Sequence, residues 1–174
     1  MATVNLNPSS TVSNEWGIQG GGTAHGSLND SNDSTAIQST NIDETCIVQL
    51  DDYSSGGTID SIRHYIRGYR WRARSGTTDV QVILENSSGT ALYSQNHSLA
   101  FNSYNPQDFY GTLRATSDGS SAWTDGDLDG LRLNINTSPE DPGFSYARVV
   151  KAYVEVTYTA AEAADNATFF GANF

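Results

Sequence analysis

Five arginines fall within one stretch, Ile59 to Arg74, at positions Arg63, Arg67, Arg70, Arg72 and Arg74, with Asp60 as its one acid. Guanidinium groups stay charged and present planar, forked donors that engage carboxylates or phosphates bidentately. Three chemistries suit such a segment: a nucleic-acid surface, a strand whose arginines pair with acids of its own domain, or a docking surface for a partner. The chain as a whole carries a formal charge of −11 with a pI near 4.4. Affinity for phosphate backbones draws on clustered positive charge, so nucleic acid is not expected as a partner. Glu155 and Asp79 lie on segments able to neighbour the arginines.

Other chemistry is sparse. His25, His64 and His97 are the only histidines, and none sits in a nucleophile-elbow context or at zinc-ligand spacing. Each is expected to be solvated or hydrogen-bonded. Cys46 is alone, within Thr45-Cys-Ile-Val-Gln-Leu50, and reads as a small core hydrophobe. Asp125, Asp127 and Asp129, in Asp125-Gly-Asp-Leu-Asp-Gly130, match the first half of a calcium loop. The closing position holds Asn136 instead of a bidentate Glu, so the expected reading is a turn whose first carboxylate caps a short helical turn, with no metal. Hydrolysis of a glycosidic bond needs two acids set across a cleft, and no pair among the twenty acidic residues stands out. No enzyme and no cofactor are expected. Tyr53, Trp71, Tyr104, Tyr110 and Trp123 are candidates for stacking a sugar, against the alternative that Trp71 and Trp123 are core.

The elements that would position these groups are strands. Lys is scarce (Lys151 alone), charged residues are 17 % of the chain, and Ser, Thr, Asn and Gly fill the polar positions. Such composition suits short strands joined by turns. Thr45–Leu50, Ile59–Arg74, Asp79–Glu85, Thr90–Gln95, Asp108–Arg114, Leu131–Ile135 and Tyr146–Tyr158 read as strands, with Asn86-Ser-Ser-Gly89 a hairpin turn. Residues 98–108 read as a loop. Gly68 marks a bulge, beyond which Arg70, Arg72 and Arg74 share one strand face. Ile62 and Ile66 are expected to face the core, with Trp71 a candidate to join them. The economical architecture is an all-β antiparallel two-sheet sandwich, jelly-roll-like, with an extended N-terminal arm and a C-terminal tail.

Residues 1–40 read as that arm with the first short strands, anchored by Trp16; 41–159 as the sandwich domain; and 160–174 as a docking tail. Phe169, Phe170 and Phe174 on that tail either fold back or insert into a partner. The N-terminus has no basic and apolar leader, so no signal peptide is expected. No apolar run approaches the about 18 residues of a membrane span, and no membrane partner is expected.

Three pieces carry a resemblance: Trp16…Gly20-Gly-Gly-Thr…Leu28-Asn-Asp…Asp33-Ser-Thr; Gly57-Thr-Ile-Asp-Ser-Ile-Arg63 leading into Arg72-Ala-Arg74; and Asp118-Gly-Ser-Ser-Ala-Trp-Thr…Asp127-Leu-Asp-Gly-Leu131 followed by Ala147-Arg-Val-Val-Lys-Ala-Tyr-Val-Glu-Val-Thr-Tyr158. Over residues 10–158 the chain resembles β-sandwich structural proteins of tailed bacteriophages, capsid decoration (cement) proteins among them. The resemblance implies a non-enzymatic virion protein on the outer capsid surface, a homotrimer that bridges subunits of the major capsid protein. Trp16, Arg70, Arg72, Arg74, Phe169, Phe170 and Phe174 are the expected partner-binding residues. The alternative is a tail or fibre module that binds a host-surface glycan.

Overall fold

A computed structural model describes residues 1–41, 43–71, 78–99, 105–137 and 146–161. In chain order the elements are β1 (Ala2–Leu6), β2 (Pro8–Asn14), β3 (Gly17–Gln19), α1 (Ala24–Asn29), β4 (Ala36–Gln38), β5 (Thr45–Leu50), β6 (Thr58–Arg70), β7 (Thr78–Glu85), β8 (Ala91–Leu99), β9 (Gln107–Tyr110), α2 (Asp125–Leu128), β10 (Arg132–Thr137) and β11 (Ala147–Thr159). They form two sheets. The first runs β3-β4-β11-β6-β9, with β1 also paired to β11, and the second runs β2-β5-β10-β7-β8. Pairing among these strands is antiparallel throughout. The all-β sandwich of the sequence reading is therefore the fold.

Period-two alternation builds the core. Cys46, Val48 and Leu50 of β5, Val80, Val82 and Leu84 of β7, and Leu133 and Ile135 of β10 face inward from the second sheet. Ile62 and Ile66 of β6 and Ala152, Val154 and Val156 of β11 meet them from the first. Burial pushes the Cys46 thiol up to about 12, which keeps it protonated and inert. Trp123 lies in the same core, its Nε1 donating to the Arg114 carbonyl at 2.9 Å.

The long β6 and β11 pair along almost their whole length, with a register shift between Val149 and Lys151. Gly68 sits opposite Val149, and a Cβ there would lie 2.6 Å from the Arg148 carbonyl oxygen. The bulge predicted at Gly68 is thus on the partner strand, with Val150 as its extra residue, and Gly68 supplies the space for it. Trp71 packs with Ala36, Tyr69 and Val150 in a small separate cluster beneath the Arg148 guanidinium, not in the main core.

Residues 1–40 do not reach away from the domain. β1 pairs β11, β2 pairs β5, and β3 and β4 extend the first sheet, while α1 buries Ala24 and Leu28. Trp16 is 2 % exposed, and its indole donates to the Glu44 carbonyl at 2.9 Å. Residues 98–99, read as loop, end β8. The tail beyond residue 161, with Phe169, Phe170 and Phe174, lies outside the described residues, as do Arg72, Arg74 and Tyr104.

Candidate ligand-binding face

Each sheet turns one face outward, and both outward faces are polar. They differ in whether their polar groups are paired. On the first sheet, cross-strand register sets Tyr153, Tyr65 and Tyr110 in one row across β11, β6 and β9. Tyr153 and Tyr65 stack with ring centres 4.4 Å apart and planes 21° apart, and Tyr65 meets Tyr110 at 5.0 Å. The flanking rows are ionic. Arg63 Nε donates to Glu155 Oε1 at 2.8 Å, and its guanidinium lies 4.5 Å over the Tyr110 ring. Arg67 bridges Asp33 and Asp108 at 2.9 and 2.8 Å. The Tyr65 hydroxyl donates to Asp108 at 2.7 Å.

The electrostatics of this face follow from those contacts. Burial, then the bond to Asp108, raises the Tyr65 hydroxyl well above the ordinary phenol range. Burial and the nearby Tyr110 push Tyr153 to about 12. The hydrogen bonds from Tyr65 and Arg67 hold the Asp108 carboxyl below its usual value. Arginines pairing with acids of their own domain is the second of the three chemistries open to this strand, and Arg63 finds the expected Glu155. Asp79 does not take part, because β7 belongs to the other sheet, where its carboxylate accepts from the Ser98 hydroxyl.

The second sheet is different. Its middle strand, β10, turns Arg132, Asn134 and Asn136 outward, since Leu133 and Ile135 face the core. Register places Gln49 and Glu85 beside Arg132, Ile47 and Ile83 beside Asn134, and Thr45 and Gln81 beside Asn136. Asn134 Nδ2 donates to Glu85 Oε1 at 2.6 Å. Asn134 is 8 % and Glu85 7 % exposed. Arg132 Nε, Asn134 Oδ1 and Asn136 Oδ1 are buried without a partner in the chain. Among the described residues the other such atoms, on Ser27, His64 and Thr78, are scattered elsewhere. Asn136 also lines a shallow cleft of about 260 Å³ with Asp43, Thr45, Gln81 and Thr137. A buried polar group left unpaired costs about 1–3 kcal/mol. Buried polar groups are otherwise nearly always satisfied, so three on alternate residues of one strand mark a place where a ligand's own polar groups fit.

The other candidate residues are placed as follows. Trp16, expected on the arm as a docking residue, is instead in the core, with its indole bonded to the Glu44 carbonyl. Arg70, the last residue of β6, is 3 % exposed and stands opposite Ala147, so its charge is not on the open surface of the sheet. Tyr53 is buried with its hydroxyl on the Gly56 carbonyl; Trp123 is core; Tyr110 is 46 % exposed. The aspartates of the calcium-like loop build a helix cap. Thr124 is the N-cap of α2, and Asp127, not Asp125, returns its carboxylate to the Thr124 N–H and hydroxyl at 2.8 and 2.7 Å. Among the described residues no group of three or more His, Cys, Asp or Glu side chains gathers to hold a metal.

His25 bonds Thr11 and Thr23 near the surface. His64 of β6 and His97 of β8 instead meet across the sandwich, Nε2 to Nε2 at 2.7 Å, with Tyr93 and Phe109 rings against them. Burial, then the facing His97, lowers His64 to about 3, and burial lowers His97. The backbone after β9 closes on this pair, since a Cβ at Gly111 would lie 2.4 Å from the His64 ring.

No protein-family model matches the chain. No curated protein matches it either. Solved structures do resemble it. The Agl-KA catalytic domain aligns with a TM-score of 0.51 at 10 % identity, over 96 % of this chain and 29 % of that one. The arabinose-bound MgGH51 α-L-arabinofuranosidase aligns with a TM-score of 0.50 at 10 % identity, over 89 % of this chain and 23 % of that one. The CBM22-1 xylan-binding domain of Paenibacillus barcinonensis Xyn10C aligns at 0.47 and 12 % identity, over 91 % of this chain and 95 % of that one. The chain thus spans less than a third of the first two proteins. At these identities the likeness to the first two shows a shared fold and nothing of activity.

Proposed function

We propose that the chain is a non-enzymatic glycan-binding module that takes its ligand along β10 on the outer face of the second sheet. The observation that carries this reading is the line of buried, unpartnered polar atoms at Arg132, Asn134 and Asn136. Sugars present hydroxyls that both donate and accept, and their apolar C–H faces suit the flanking Ile47 and Ile83. The tyrosine row of the first sheet fits this role less well. Its rings pack against one another, and the Tyr65 hydroxyl, Arg63 and Arg67 already have partners. Of the two virion roles the phage resemblance implies, this is the tail or fibre one. Capsid cementing would rest on Trp16 and Arg70, which are buried, and on Arg72, Arg74 and the tail phenylalanines, which lie outside the described residues. The test is binding of the purified chain to immobilised polysaccharides. Asn136→Ala is expected to weaken retention about tenfold, equivalent to about 1.4 kcal/mol, while Tyr110→Ala leaves it within about twofold. Retention lost in Tyr110→Ala and kept in Asn136→Ala overturns the assignment of the face. Counting copies per virion then checks the location: a few copies fit a tail or fibre, and hundreds fit the capsid.

A further inference from the structure

The β10 stripe also carries information about which glycans fit, an inference that rests on the glycan-binding reading. We infer that the ligand is an uncharged, hydroxyl-rich polysaccharide, and that Glu85 is a positioning residue that sets this preference by fixing the Asn134 amide. Asn134 and Asn136 both leave an acceptor oxygen unpaired, so the ligand must bring hydrogen-bond donors to two places on alternate residues of one strand, about 7 Å apart. Hydroxyls supply donors and carboxylates and sulfates are acceptors only, so the groups that meet these two oxygens are hydroxyls, and it is charge that separates neutral from acidic polysaccharides. The orientation of Asn134 is not free. Its Nδ2 donates to Glu85 Oε1 at 2.6 Å, and turning the amide over would set its oxygen against the carboxylate. Glu85 thereby holds the Asn134 oxygen as the group on offer. Glu85 also stands directly across from Arg132 in the ladder, so the two together add no net formal charge to the stripe. A polyanion would approach a compensated face on a chain of net charge −11.

The experiment uses the whole chain against xylan, mannan and β-glucan as uncharged probes and polygalacturonate and heparin as acidic ones. The expected result is binding to at least one uncharged probe, changed less than about twofold between about 0.05 and about 0.5 M NaCl. Asn136→Ala, which breaks no bond within the protein, should weaken that binding about tenfold. Glu85→Ala frees the Asn134 amide and uncovers Arg132, so it should lose affinity for the uncharged probe and gain retention on polygalacturonate. A purely structural role for Glu85 would lower both alike, and that outcome overturns the positioning role. Preference of the unaltered chain for polygalacturonate or heparin overturns the uncharged class while leaving glycan binding intact. Failure to bind any of the five probes counts against the glycan reading itself and against this inference with it.

Discussion

The two outward faces of this sandwich are built from similar materials and end in opposite states. On the first sheet Tyr153 stacks on Tyr65, Tyr110 packs against Tyr65 at a tilt, and Arg63 and Arg67 are claimed by Glu155, Asp33 and Asp108. On the second, Asn134 and Asn136 keep an oxygen each, and Arg132 its Nε, buried and unclaimed. The contrast separates polarity that holds a fold from polarity offered to something else. Exposed aromatic and arginine residues are the more conspicuous signal, yet here they are the structural ones. Each of their ion pairs is partly exposed and contributes only about 0–1 kcal/mol, so the face is stabilised by its stacking more than by its charges.

The comparison can be broken by mutation, and the largest effect is expected at Tyr65. Tyr65→Ala removes a ring that is 6 % exposed, stacked on Tyr153 and tilted against Tyr110, and should cost about 3 kcal/mol in denaturant unfolding without changing glycan retention per folded molecule. A variant that keeps its stability but loses binding would move the ligand to the first sheet. Next comes the acid response of the His64–His97 pair, which ties the two sheets together. Both histidines have folded values below the ordinary 6.5, His64 at about 3. The unfolded chain therefore binds more protons than the native one between those values. The pair's contribution is fully present above about pH 6.5 and is lost as pH falls toward about 3. The neighbouring groups offer little relief: the Tyr93 and Phe109 rings are uncharged, and the Arg114 guanidinium over Tyr93 adds positive charge. Melting temperature should drop between pH 7 and pH 5, and a His64→Leu/His97→Leu variant should flatten that part of the profile. An unchanged profile in the double variant removes the pair as its source.

Smaller effects sharpen the same contrast. Tyr65→Phe deletes one hydroxyl from Asp108, which Arg67 still holds, and should cost about 1 kcal/mol. Asn136→Ala should leave stability unchanged within about 1 kcal/mol, because no partner in the protein is abandoned. A loss above about 2 kcal/mol would mean that Asn136 is part of the scaffold.

Much of the fold was legible from alternation. β5, β7, β10 and β11 carry it plainly, and Asn86-Ser-Ser-Gly89 closes the β7–β8 hairpin, with Gly89 at a φ of 85°. Residues 1–40 hid their role for a physical reason. β2 is an edge strand whose residues from Ser9 to Ser13 are all exposed, so it has no apolar period to read, and Trp16 meets its partner Glu44 only through tertiary packing. Burial of Arg70 was hidden by the bulge expected at Gly68: with the bulge on β11 instead, the alternation of β6 runs on unbroken from Ile62 and Ile66 to Arg70. Tyr110 could be named from the sequence but not its stacking. The β10 stripe left almost no trace, because Arg-Leu-Asn-Ile-Asn looks like any half-buried strand. Only register brings Glu85 to Asn134 across 49 positions and shows which oxygen remains.

The most direct measurement is a titration of the ¹⁵N-labelled chain with the oligosaccharide form of whichever probe binds, following backbone amides and the side-chain amides of Asn134 and Asn136. Shifts gathered on β5, β10 and β7, led by those two side chains, are the predicted result. Shifts gathered on Tyr65, Tyr110 and Tyr153, with the β10 amides unmoved, would contradict the account.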